Sequence, residues 1–334
     1  MLPWHQSEFE RLLANKAGLP HAILLRGQQG IGKMAFARSL AQALLCETPA
    51  PSHAACGHCE ACHWFTAGSH PDFRQIEPES LVEAGAEEQG SDKKASSQIG
   101  VEKIRQLYDF INISSHRNGP KIILLHPAEA LNVNAANALL KNLEEPPPRT
   151  HFLLVSHRSH ALLPTIKSRC RQLPLAAPER QLALEWLKSQ EVSTPELALA
   201  QTGNSPLLAM QLAEQDYWQA RDVFLRHIGS PRFDPLEVAE QIKDYPVPQV
   251  VSWLQKWSYD LAARKLLGTI RYNPDREAAL AAMAKQTDGL RILRFHREMV
   301  KLQRSVNHPL NARLFIEQLM ISYADLLRPA PQAK

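Results

Sequence analysis

No apolar run in the 334 residues approaches the roughly 18 needed to cross a membrane. The opening residues, Met1-Leu-Pro-Trp-His-Gln-Ser-Glu, lack the basic start and apolar stretch of a secretory signal. A cytoplasmic location is the expectation. An excess of one charge is missing too. Lys and Arg number 38 against 34 Asp and Glu, a balance of +4, compatible with nucleic acid nearby but too small to argue for it. Cysteine is scarce, five in all, yet four fall between Cys46 and Cys62. Such crowding in a cytosolic chain points to metal rather than disulfides. What remains, 44% hydrophobic and 22% charged, is an ordinary globular composition with length enough for two or three domains.

Two further absences decide the chemistry. After the apolar run Ala22-Ile-Leu-Leu25, residues Gly27, Gly30, Gly32 and Lys33 fit the G-x-x-x-x-G-K spacing of a phosphate-binding loop. Glycines there let successive backbone N–H groups face one anion, and the following helix adds its positive end. Lys33 would reach the outer phosphates. The next residue should be Ser or Thr, whose hydroxyl ligates magnesium. It is Met34, whose thioether does not serve. The second absence follows the apolar run Lys121-Ile-Ile-Leu-Leu125. A working ATPase strand of this kind ends in Asp, often Asp-Glu, to hold magnesium and polarise water. Here it ends in His126-Pro127, and Glu129 comes two positions too late. Two independent losses at one phosphate argue against hydrolysis.

Cys46, Cys56, Cys59 and Cys62, with Cys56-Gly-His-Cys59-Glu-Ala-Cys62 as paired turns, suit one tetrahedral zinc: backbone N–H groups face the thiolates and a helix end closes the site. Four thiolates complete the shell, so the site is structural, one zinc per chain. Four buried free thiols are the alternative. Cys170 reads as a buried core thiol.

Patterning predicts a short helix over 4–13, a strand over 22–26 and a helix to Leu45. A strand over 73–76, a solvated mobile loop over 79–97 and a helix over 101–113 follow. Strands at 121–125 and 151–156 flank a helix over 135–145 that Pro146-Pro-Pro148 stops. Alternating strands and helices give an α/β layer with a parallel sheet. After Pro178 the pattern is helical to the end, broken at Gly229-Ser-Pro231 and Tyr245-Pro-Val-Pro248.

This combination resembles the bacterial clamp-loader ATPases of the AAA+ class. The cysteine module sits just after the phosphate-loop helix. Asn137-Ala-Leu-Leu-Lys-Asn-Leu-Glu-Glu-Pro-Pro147 is similar to that family's helix signature, and Ser168-Arg169-Cys170 to its arginine-finger motif. Gly203-Asn-Ser-Pro-Leu-Leu-Ala209 falls where the family carries its second sensor, with Leu207 where a motor's arginine is expected. The matches cover residue 3 to about 215, and the helical remainder, with 307–317 opening its last helix, resembles an oligomerising collar.

The resemblance implies an α/β AAA+ P-loop core with a zinc module (46–62) over residues 1–175, a helical lid over 176–215 and an all-α collar over 216–334. Its departures, Met34, His126, Pro127 and Leu207, select a non-hydrolysing member. By resemblance, Arg169 is a finger offered in trans to a neighbour's ATP, where a guanidinium stabilises transition-state charge. The implied role is a stator that completes the loader ring. Implied partners are the motor subunits (tau/gamma), the delta subunit and, through the complex, the sliding clamp and primed DNA. Asn137 and Lys141 would share a face toward that DNA. Nucleotide, ATP or ADP, on the retained Gly27, Gly30, Gly32 and Lys33 stays open. No intrinsic activity is expected; an enzyme label belongs to the polymerase complex. An ATP-hydrolysing motor and a zinc-containing nucleic-acid-binding module are the alternatives.

Overall fold

Five short strands form one parallel sheet in the computed structural model, which describes residues 1–83, 96–116, 118–212, 215–303, 306 and 311–328. They are β1 (Ala22–Arg26), β2 (Phe73–Ile76), β3 (Lys121–Leu125), β4 (Thr150–Ser156) and β5 (Arg171–Pro174), in the order β2-β3-β4-β1-β5. Every pairing is parallel. The three central strands are covered on both faces, so they read as unbroken apolar runs. Strand β5 has no such signal: Arg171-Gln-Leu-Pro174 buries only Leu173. It lies at the sheet edge, where a proline is tolerated.

The helices of this part are α1 (Gln6–Ala14), α2 (Lys33–Leu45), α3 (Glu60–Thr66), α4 (Glu79–Glu83), α5 (Val101–Asn112), α6 (Val133–Glu144) and α7 (Pro164–Arg169). Side chains alternate along each strand, and the two faces gather separate cores. Ile23, Leu25, Ile122 and Leu124 pack with Phe36, Leu40 and Leu44 of α2. Leu24, Ile123, Leu125 and Leu154 pack with Ile104 and Leu107 of α5 and Leu139 of α6. Asn132 caps α6 by accepting a hydrogen bond from the Ala135 N–H at 2.8 Å. Part of the expected 79–97 loop is helical in α4; residues 84–95 lie outside the described residues.

The chain divides into two compact units, Met1–Glu179 and Arg180–Lys334. The described part of the second is built of helices: α8 (Arg180–Ser189), α9 (Pro195–Gln201), α10 (Pro206–Gln211), α11 (Gln215–Ile228), α12 (Pro235–Gln241), α13 (Val247–Leu267), α14 (Glu277–Gln286), α15 (Gly289–Leu302) and α16 (Ala312–Leu327). It holds two apolar clusters. A small one joins Ala183, Leu187, Leu199 and Ala209. A larger one centres on Phe224, Trp253, Trp257, Phe295 and Tyr323. Leu314 lies outside that core and is 60% exposed. Helix α16 turns Ile316, Leu319, Met320 and Tyr323 inward, and Leu314, two residues ahead of Ile316, falls on the opposite side at 3.6 residues per turn. No described helix is long and apolar enough to cross a membrane.

One buried carboxylate ties the second unit together. Asp260, fully buried, accepts hydrogen bonds from the N–H groups of Arg271, Tyr272 and Asn273 at 2.7–3.1 Å and from the Asn273 amide at 2.8 Å. The same Asn273 accepts from Arg221, whose guanidinium also grips both oxygens of Asp275 at 2.9 Å. Removing the carboxylate strands several donors. Asp260→Ala is therefore expected to cost about 3 kcal/mol or more, read as a lower urea midpoint for the second unit. A shift below about 0.5 kcal/mol would show the network to be dispensable.

Candidate functional site: phosphate loop, four-cysteine cluster and exposed arginine

The loop between β1 and α2 keeps its expected form. Gly30 and Gly32 have φ of 79° and 95°, a region that side-chain-bearing residues rarely enter. At Gly27 the constraint is crowding: a Cβ there would sit 2.4 Å from the Leu175 carbonyl oxygen. The Phe36 N–H bonds to the Gly32 carbonyl at 2.9 Å, so α2 begins directly behind the loop. Lys33 is buried and its ammonium donates to the Gln28 carbonyl. Burial lowers its pKa to about 8, an effect that nearby Glu129 opposes. Trp4 donates from its indole N–H to the Ile31 carbonyl at 2.8 Å, and that tie across the loop was not apparent from sequence.

Met34 packs against the apolar cluster on this side of the sheet. At the end of β3, His126 bonds through Nδ1 to Glu77 Oε1 at 2.8 Å and through Nε2 to His157 Nε2 at 3.0 Å. Burial, reinforced by Lys33, holds His157 down to about 4, so the ring stays neutral near pH 7. Glu129 accepts through Oε1 from the N–H groups of His157 and Arg158, both at 3.0 Å, while its Oε2 is buried without a hydrogen-bond partner. Glu77 and His157 went unnoticed in the sequence because only the parallel pairing of β2, β3 and β4 brings three distant strand ends together.

Cys46, Cys56, Cys59 and Cys62 converge, their sulfurs all within 4.8 Å of one another. Sγ of Cys46 lies 3.9 Å from that of Cys59, and Sγ of Cys56 4.0 Å from that of Cys62. Zinc–sulfur bonds of about 2.3 Å in a tetrahedron put sulfurs roughly 3.8 Å apart. The N–H groups of Cys56, Cys59 and Cys62 point at Cys46, Cys56 and Cys59 sulfurs at 3.3–3.4 Å, as thiolates require. These four residues fit a metal ion. Cys46 follows the end of α2, Cys59 caps α3, and Phe65 on α3 is buried in the sheet's core. Cys170 is buried apart from them among the apolar side chains on the sheet's other face.

Arg169 ends α7. Its guanidinium donates to the Thr165 carbonyl at 3.1 Å and pairs with Glu144 at the end of α6, a partner that sequence spacing did not suggest. Its side chain remains 34% exposed. Asn137 and Lys141 are both exposed on one face of α6. Leu207 is half-buried in α10.

The profile of the family described as DNA polymerase III, delta subunit matches residues 5–179, and that of its C-terminal part matches residues 215–324. The DNA polymerase III subunit delta' of Pseudomonas aeruginosa is 35% identical over 98% of both chains. That of Escherichia coli is 30% identical, covering 98% of this chain and 96% of that protein. Among solved structures, a DNA polymerase III gamma subunit-related protein from Thermotoga maritima aligns with 97% of this chain and 100% of that chain, at 18% identity and a TM-score of 0.45.

Proposed function

The chain belongs to the DNA polymerase III delta' family, and from that premise we propose that it is the non-hydrolysing stator of a clamp loader. In this reading residues 1–175 form the AAA+ core, 176–215 a lid and 216–334 a collar that joins the ring. The chain completes a ring with motor subunits and the delta subunit in the cytoplasm. It offers Arg169 to the ATP of a neighbour, and so helps to place the sliding clamp on primed DNA. Asn137 and Lys141 face that DNA, and the four cysteines hold a structural zinc that crosslinks residues 46–62.

One observation carries the reading. Both positions that should hold magnesium are occupied by groups unable to do so: Met34 lies against the core, and His126 is bound to Glu77 and His157. The loop's shape and Lys33 survive, so a phosphate could still be held, but neither magnesium position keeps a ligand suited to the ion. Steady-state ATP hydrolysis by the purified chain tests this. Turnover is expected at background, unchanged by Lys33→Ala. A motor-like rate abolished by that substitution would make the chain an ATPase.

A further inference from the structure

The second unit carries an open cleft of about 520 Å³, within the range of small-molecule sites. Helix α13 supplies one wall. Gln249, Ser252, Lys256 and Tyr259 recur at spacings of three and four, which places them on a single helix face. Gln211 and His296 line it from other elements. No Asp or Glu is among the described residues that line it. Lys256 is half-buried, and burial, reinforced by the Arg221 charge, lowers its pKa to about 8. Arg221 has its own carboxylate in Asp275; Lys256 has none among the described residues. A half-buried cation without a counter-charge is disfavoured relative to one that an anion joins.

We propose that this cleft binds an oxyanion, a carboxylate or phosphate group held by Lys256 with neutral side-chain donors such as Gln249 and Ser252 around it. Two sources share that chemistry: a small solute, or an acidic side chain of a neighbouring chain in an assembly. The site lies apart from the phosphate loop and makes no use of it.

Labelling with an amine-reactive reagent, read by peptide mass mapping, tests the proposal. In the isolated chain, inorganic phosphate replaces chloride at matched ionic strength. Lys256 labelling is expected to slow about tenfold at a phosphate concentration ten times Kd, while Lys265, exposed on the same helix, is unaffected. The thermal shift produced by phosphate should vanish in Lys256→Met, which keeps most of the apolar stem. That result identifies a solute site, whatever the chain's role in replication. If phosphate has no effect but Lys256 alone becomes protected when the chain is assembled with motor and delta subunits, the source is a neighbour's carboxylate. Labelling unchanged in both settings, or slowed equally at Lys256 and Lys265, overturns the proposal.

Discussion

Arg169→Ala should leave the isolated chain folded and lower ATP turnover at the neighbouring site it serves by about 10³-fold or more, the range seen when P-loop enzymes lose an arginine finger. The Arg169–Glu144 pair does not stand against this. Both side chains are substantially exposed, 34% and 47%, and surface pairs of this kind contribute about 0–1 kcal/mol. A 10³-fold rate effect corresponds to about 4 kcal/mol of transition-state stabilisation. The guanidinium therefore gives up Glu144 at small cost when a γ-phosphate comes within reach. Stability should change by less than about 1 kcal/mol for the same reason. Arg169→Lys should rescue little, since an ammonium lacks the planar fork that grips phosphate oxygens. Single-turnover hydrolysis in a reconstituted loader, with the variant in place of the native subunit, is the measurement. An unchanged rate at every site would remove the finger assignment.

Zinc loss should be the other large effect. Protein purified without chelator is expected to carry one zinc per chain by elemental analysis, and Cys59→Ser should abolish it. Structural zinc contributes about 10–16 kcal/mol in small zinc-finger peptides. Here the consequence should be confined. Residues 46–62 include no helix except the start of α3 and no strand, so without the ion little else orders them. By contrast β1, β3 and β4 rest on apolar packing that does not involve the four sulfurs. Hydrogen exchange should then show protection lost around Cys46–Cys62 and retained in those strands. Finding no metal, or protection unchanged in Cys59→Ser, would return the cluster to four free thiols.

The four-cysteine cluster and the phosphate loop were readable because each is local. Gly27, Gly30, Gly32 and Lys33 are neighbours in sequence, and so are Cys56, Cys59 and Cys62; short spans of backbone largely fix their geometry. The same holds for the central strands and the long helices, whose periodicity is a property of a few consecutive residues. Strand β5 and helix α7 escaped notice because their segments carry too few inward apolar residues to show a period.

By itself, then, the sequence determined an α/β core followed by helices, a phosphate loop without its magnesium ligands, a four-cysteine cluster, and a family resemblance that the comparisons bear out. Tertiary structure alone decided what stands in place of the missing groups. Glu77, His126 and His157 are joined at three strand ends, Arg169 rests on Glu144, and Lys256 faces a cleft with no acid in its described wall. The physical reason is reach. Hydrogen bonds and ion pairs act over a few ångströms, whereas these partners lie 25 to 49 residues apart along the chain or, at the cleft, come from separate helices. Only packing of the sheet and helices brings them together.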